Sequence, residues 1–204
     1  MELDTRSKLI EIATPLFATK GFAAVSVREV TEIAKINVSA ISYHFKGKEG
    51  LYQAVFEEQL SPILVAMQTV KENTALSPLE RLTFYSEQIA RIHAKRPFLS
   101  RFMSGEVNNP TEIGGPVIER HLSQVYQFLC ASLQAGIDCG NFRPDLNVTY
   151  TAISLAGILN FFFLTKPIIK EIVSLPERSE LEYTKHAFQI FLHGILHTQK
   201  KVIL

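Results

Sequence analysis

Three times in this chain a serine is followed three residues later by a glutamate, just ahead of an apolar-periodic stretch. The three are Ser26-Val27-Arg28-Glu29, Ser77-Pro78-Leu79-Glu80 and Ser179-Glu180-Leu181-Glu182. This is the capping-box pattern, in which serine satisfies a free backbone N–H and the carboxylate reaches back to a second. It commits the following residues to a helix. Between the boxes, apolar residues recur three and four apart and alternating strand patterns are scarce, so the fold class expected is all-α. Nine helices are predicted.

The first helix is read over Thr5–Thr19, with Leu9, Ala13, Leu16 and Phe17 on one face and Lys20-Gly21 as its stop. Pro15 inside it breaks the helical rule and has no visible compensation. The second helix starts at Ser26, with Val25 and Val30 at the staple positions and Val27, Val30, Ile33 and Ala34 as its buried stripe. The third is short, opened by Asn37, closed at Phe45-Lys46-Gly47, and anchored by Ile41 and Phe45 four apart. Ser39, Ser42 and Tyr43 then face outward, with Val38 in the first turn. A fourth helix runs from Lys48 to near Asn73, interrupted at Pro62, and a domain boundary is expected inside it. Later helices are read from Ser77 to about Arg96, Pro97 to Val107 and Pro116 to Cys139 with Gly140 as its stop. Two more run from Asn147 to Leu164 and from Ser179 to about Thr198.

Three short helices with a tight turn before the third make a helix-turn-helix. Capped helix N-termini offer free N–H groups and a positive dipole end to phosphate oxygens. The small polar outer face of the third helix fits a major groove about 12 Å wide. Tyr43 and His44 can donate hydrogen bonds to phosphates, and Lys48 can neutralise one. The chain of 204 residues has a net charge of only +1, so any grip on DNA must come from such locally placed groups rather than from a global basic field.

The runs Lys20-Gly21-Phe22, Ser26-Val27-Arg28-Glu29-Val30 and Asn37-Val38-Ser39-Ala40-Ile41-Ser42-Tyr43-His44-Phe45 resemble the TetR (tetracycline-repressor-like) family. Lys46-Gly47-Lys48-Glu49-Gly50-Leu51-Tyr52 continues the likeness, which covers about residues 5–56. Pro62, Arg96-Pro97 and Asn141-Phe142-Arg143-Pro144 resemble one subgroup with a shared C-terminal domain. The resemblance implies a symmetric dimer, a C-terminal effector pocket, and repression relieved by a small molecule. It implies DNA contacts from Ser26, Arg28, Asn37, Val38, Ser39, Ser42, Tyr43, His44 and Lys48. Two departures stand out. The turn glycine common in the family is Lys35 here, which must take a left-handed conformation or shift the turn. Pro15 also breaks the usual first helix.

The division expected is residues 1–47 as the DNA reader and 48–204 as a helical bundle for effector binding and dimerisation. Hydrophobic residues make up 47% of the chain, enough for a sizeable core. Phe84, Tyr85, Phe102, Tyr126 and Phe162 are candidates to line an effector pocket, with Glu106 and His121 as polar contacts that orient the ligand. The helix over 148–164 is apolar nearly all round and must be covered on every side. Ile153, Ala156, Leu159 and Phe163 of that helix, with Phe188, Phe191, Leu192 and Ile195 of the last, are the expected two-fold interface. The operator should then be a pseudo-palindrome.

Other chemistries find little support. Cys130 and Cys139 match no metal or redox spacing. His193 and His197, with His186 seven before, lack a completing carboxylate or cysteine, so neither a metal nor a cofactor is expected. The apolar run Ala152–Leu164 is short of the ~20 residues that span a bilayer. Met1–Ser7 leads into a charged amphipathic stretch rather than a signal peptide, so a cytoplasmic protein without a membrane partner is expected. No nucleophile–base pair or phosphate-cradling glycine loop appears, and an enzyme is not expected. The rival readings are an all-α enzyme using Glu106 with His121, and a ligand-binding protein that has lost operator recognition.

Overall fold

The computed structural model describes residues 4–73, 75–177 and 179–197. Among them lie nine helices: α1 (Thr5–Ala24), α2 (Val27–Ala34), α3 (Ser39–Phe45), α4 (Lys48–Glu72), α5 (Pro78–Lys95), α6 (Leu99–Asn108), α7 (Gly114–Asp138), α8 (Val148–Ile172) and α9 (Ser179–Ile195). One isolated antiparallel bridge joins Phe142 and Leu196. The all-α expectation is met. Thr198, the expected end of the last helix, lies outside the described residues.

Most helix ends form where capping chemistry predicts. Ser77 and Glu80 make both halves of a capping box: Glu80 N–H donates to Ser77 Oγ at 3.3 Å, and Ser77 N–H donates to Glu80 Oε2 at 2.8 Å. Asn147 Oδ1 accepts from Tyr150 N at 3.0 Å. Gly140 carries the positive φ of 76° that ends α7. The proline expectations fare differently. α1 continues through Pro15 to Ala24, broken only at Gly21 (φ 78°, ψ 165°), and nothing in the structure explains Pro15. α8 runs through Pro167 to Ile172 instead of ending at Leu164. At 25 residues it is long and apolar enough, by length and composition, to cross a membrane.

The chain divides into two compact units. The first comprises Met1–Pro62 and Arg96–His121, the second Ile63–Lys95 and Leu122–Leu204. The division in α4 falls at Pro62, because the first turns of α4 belong to the core around α1. Leu51, Tyr52, Val55 and Phe56 are buried there together with Leu9, Ala13 and Phe17. Phe17 and Tyr52 meet edge to face at 4.9 Å, and Phe56 meets Phe102 of α6 at 4.8 Å. Burying side chains of this size contributes roughly 1.5–3 kcal/mol each.

The second unit has its own core, built from Leu82, Tyr85 and Ile89 of α5, Leu129 and Leu133 of α7, and the inner faces of α8 and α9. Leu159, Phe163, Phe188 and Ile195 are part of it. These four, expected from the sequence at a two-fold interface, are buried within their own chain. In a helix apolar all round, spacing alone does not reveal which side its own chain covers. Ile153 is exposed, and Ala156, Phe191 and Leu192 are half-buried. The exposed stripe of α8 is Tyr150, Ile153, Gly157, Phe161, Leu164, Ile168 and Ile172, at three- and four-residue steps.

Candidate DNA interface

The candidate interface lies wholly in the first unit, on α2, α3 and the start of α4. Ser26 has extended backbone angles, and its Oγ accepts from Glu29 N at 3.1 Å, as a helix N-cap does. The other half of the expected box is absent: the Glu29 carboxylate pairs with Lys20 of α1. That ion pair ties α2 to α1 and leaves Arg28, one residue before it, exposed. Val30 and Ala34 are buried as expected, but Ile33 is 55% exposed. Thr31 takes the buried place, its hydroxyl donating to Val27 O and Arg28 O at 3.0 Å each. A threonine can line a helix core in this way because the helix satisfies its only donor.

The turn between α2 and α3 uses Lys35 in a true left-handed conformation (φ 55°, ψ 45°). Two backbone bonds close it, Lys35 N–H to Glu32 O at 3.1 Å and Ile36 N–H to Thr31 O at 3.0 Å. The departure from glycine is thus met by conformation, not by a shifted turn. Asn37 caps α3 from one position outside the expected one: its Oδ1 accepts from Ser39 N at 2.9 Å, while Val38 holds the formal cap position without a side-chain bond. Ile41 and Phe45 are buried beneath α3. Facing away from them are Ser39, Ser42 and Tyr43, the last 83% exposed, with Val38 beside them. His44 is half-buried and meets Tyr43 edge to face at 4.8 Å, which limits the tyrosine's freedom.

Lys46 (φ 62°) and Gly47 (φ 134°) turn the chain into α4. Gly50 makes the corner possible, since a Cβ there would overlap the carbonyl of Phe45. Lys48 is not free in solvent. Its Nζ donates to Ala23 O at 3.2 Å and stands 4.4 Å over the Phe22 ring. A cation over an aromatic face is attracted by the ring quadrupole, so Lys48 is aimed, with N–H protons to spare. The nine expected contact residues lie on these elements and their flanking turns, and Arg28, Ser39, Ser42 and Tyr43 expose a guanidinium fork and three hydroxyls.

The seven candidate pocket residues fall into two sets. Phe102, Glu106 and His121 belong to the first unit and Phe84, Tyr85, Tyr126 and Phe162 to the second. Glu106 is buried and fully engaged: Tyr52 OH donates to it at 2.8 Å, Thr111 N–H at 2.7 Å, and the Thr111 hydroxyl at 2.9 Å. A carboxylate held by these donors has a structural partner set of its own, which its reading as a ligand contact does not foresee. Burial, and then the hydrogen bond to Glu106, push the Tyr52 hydroxyl well above the usual range. His121 donates from Nδ1 to Val117 O at 2.7 Å, and its buried Nε2 has no protein hydrogen-bond partner.

In the second unit, His93 stacks on Phe163 at 3.9 Å and meets Asn160 Oδ1 at 3.2 Å. Burial pulls its pKa down to about 4 against the opposing Asn160 bond, so the ring is neutral. Burial likewise raises the Tyr85 hydroxyl, helped by Tyr126 and opposed by a hydrogen bond with Asn160. A cleft of about 800 Å³ lies between α5 and α9, with Ala90, Phe188 and Leu192 among its apolar lining and Arg91, Lys185 and Glu87 among its charged residues. None of the candidate aromatic residues lines it. Among the described residues, no three metal-ligating side chains come together.

Comparison with known proteins places these features in context. A family model described as bacterial regulatory proteins, tetR family, matches residues 9–55. The HTH-type transcriptional repressor KstR2 of Mycolicibacterium smegmatis is 30% identical over 148 residues, 70% of each chain. A Bacillus subtilis protein named "Probable HTH-type transcriptional regulator YttP" is 25% identical over 201 residues, 97% of each chain. Among solved structures, the ketosteroid transcriptional regulator KstR2 of Mycobacterium tuberculosis superposes with a TM-score of 0.71 at 21% identity, covering 97% of this chain and 98% of that one.

Proposed function

Because the chain belongs to the tetR family of bacterial regulatory proteins, and is therefore a DNA-binding transcription regulator and not an enzyme, we propose that it is a cytoplasmic dimeric repressor released by an apolar or amphipathic small molecule. The observation that carries the reading is the outward face of α2 and α3. Arg28, Ser39, Ser42 and Tyr43 stand exposed on short helices whose inner residues, Val30, Ile41 and Phe45, are locked in the core. In the bound state α3 enters the major groove, Arg28 and the α3 hydroxyls meet base edges and phosphates, and Ser26, Asn37, Val38, His44 and Lys48 complete the contact.

A second copy covers α8. Its exposed stripe of Ile153, Phe161, Leu164, Ile168 and Ile172 is too large an apolar face for solvent, and Gly157 within it lets another helix approach. Two recognition helices related by a two-fold axis read a pseudo-palindrome with half-sites about 34–36 Å apart. A partner helix also accounts for the length and apolarity of α8 without a membrane.

Residues 1–47 and Lys48 at the start of α4 carry the DNA contacts, and the effector belongs to the second unit. The amphipathic cleft between α5 and α9 and the aromatic interior around Phe84, Tyr85, Tyr126 and Phe162 support an apolar or amphipathic ligand. Repression as the mode of control rests on the name of the 30% identical relative. Selection of duplexes from random-sequence DNA by the full-length protein tests the reading. An enriched inverted repeat, bound more weakly by Tyr43→Ala, is the expected result. No enriched sequence after repeated rounds would overturn it.

A further inference from the structure

The buried carboxylate of Glu106 stands outside the face that meets DNA, yet it is joined to that face by contacts that all lie within the first unit. Tyr52 OH donates to its Oε1 at 2.8 Å. The Tyr52 ring packs at 4.8 Å against Phe22 and at 4.9 Å against both Phe17 and Phe56. Phe22 carries the ammonium of Lys48 at 4.4 Å, and that ammonium also holds the last carbonyl of α1 but one, Ala23 O. Between Glu106 and Lys48 there is therefore no gap: a hydrogen bond, a ring contact and a cation–π contact follow in series.

The other end of the carboxylate is equally fixed. Thr111 gives it both its N–H and its hydroxyl, and Thr111 Oγ1 in turn accepts from Gly114 N at 2.9 Å, at the first residue of α7. Gly114 leaves room for the arrangement, because a Cβ there would fall on the carboxylate itself. Three rings hold the body of Tyr52, and the carboxylate holds the phenol at its far end. Leaving either group unpaired in a buried site is costly, so the pair holds as one.

We propose that Glu106 is a positioning residue for DNA binding, holding Tyr52, and through Tyr52 and Phe22 the ammonium of Lys48, where it meets a phosphate. The role rests on the interface assigned above. It also makes α6, through Glu106, part of the DNA-reading machinery: anything that moves α6 or the Thr111 turn loosens Lys48 without touching the recognition helix. Affinity then changes while base preference stays.

The test uses full-length wild type, Tyr52→Phe, Glu106→Gln, Gly114→Ala, Lys48→Met, and Tyr52→Phe combined with Lys48→Met. Each is titrated across a salt series onto the duplex that wild type selects from random-sequence DNA, below its own thermal transition. Lys48→Met should lower affinity about tenfold and flatten the slope of log K on log salt by about 0.9 per lost phosphate contact. Tyr52→Phe, Glu106→Gln and Gly114→Ala should each lower affinity roughly fivefold with an unchanged ranking of single-base variants, and Tyr52→Phe should cost less than about twofold once Lys48 is Met. Gly114→Ala displaces the carboxylate without altering either bonded side chain. A purely structural role would lower the melting temperature but would not couple to Lys48. Equal losses from Tyr52→Phe in both backgrounds, or wild-type affinity in folded Tyr52→Phe and Gly114→Ala, would overturn the proposal. Wild-type binding and salt slope in Lys48→Met would overturn it too, and would show that the fault lies in the phosphate contact assigned to Lys48 rather than in the Glu106 link.

Discussion

His93 gives the second unit a pH dependence whose sign and size follow from its surroundings. Its imidazole lies flat on Phe163, at 3.9 Å and 6°, and its Nε2 faces Asn160 Oδ1, whose own amide donates to Ala156 O. Burial is the dominant cause that takes its pKa from 6.5 to about 4 in the folded chain. A folded pKa below the unfolded one means that the unfolded state binds the proton first. The contribution is therefore fully present above 6.5 and is lost as pH falls from 6.5 toward 4. At pH 5 the unfolded ring is charged and the folded ring is not. With about 1.4 kcal/mol per unit, roughly 2 kcal/mol present at pH 7 is gone at pH 5, and about 3 kcal/mol below pH 4. Urea unfolding of wild type and His93→Gln at pH 7 and pH 5, at one fixed protein concentration, isolates this contribution, because every other titrating group is common to both. Wild type should lose about 2 kcal/mol more than His93→Gln over that interval. Equal losses would refute the claim that this ring is held neutral by burial.

Three further outcomes are expected. Phe161→Glu removes an aromatic ring that is 61% exposed on α8 from both copies. At about 1.5–3 kcal/mol per buried ring this should raise the dimer dissociation constant at least about a hundredfold in sedimentation equilibrium, and an unchanged constant would place the interface elsewhere. Arg28→Ala should flatten base preference at one position per half-site, a loss of roughly 1–3 kcal/mol of discrimination against a panel of single-base operator variants, with other positions unaffected. Gly50→Ala sets a methyl group on the backbone carbonyl of Phe45, which no side-chain rotation relieves, so the first unit should lose about 1–3 kcal/mol in denaturant unfolding.

What was legible in the sequence is what neighbouring residues decide among themselves. The Ser26 cap, the left-handed Lys35, the Ile41 and Phe45 anchors and the outward set of Ser39, Ser42 and Tyr43 all depend on chemistry within about one helical turn, and all form. Where a distant residue competes, local reading fails. Glu29 belongs to a capping box by spacing, but Lys20 of α1 claims its carboxylate. Ile33 belongs to the apolar stripe by period, but it stays 55% exposed at the edge of a cleft against α1. On α8, Phe161, Phe162 and Phe163 are alike in sequence. Only the placement of α5 and α9 leaves the first exposed and buries the other two.

The Glu106 partnership is the sharpest instance, since its phenol lies 54 residues away. A glutamate between Gly105 and Val107, ahead of a loop rich in Asn, Pro and Gly, gives no local sign of that partner, and an orienting contact for a ligand is the natural reading. This divides the interface into two kinds of determinant. On the proposed function, base preference is encoded within residues 26–43, where caps and helix period suffice to present the side chains. The firmness with which Lys48 is aimed is encoded between α4 and α6, across a buried hydrogen bond. Substitutions in the first group should re-rank operator sequences. Substitutions at Tyr52, Glu106 or Gly114 should scale all sequences together, and a single panel of operator variants read against both groups separates them.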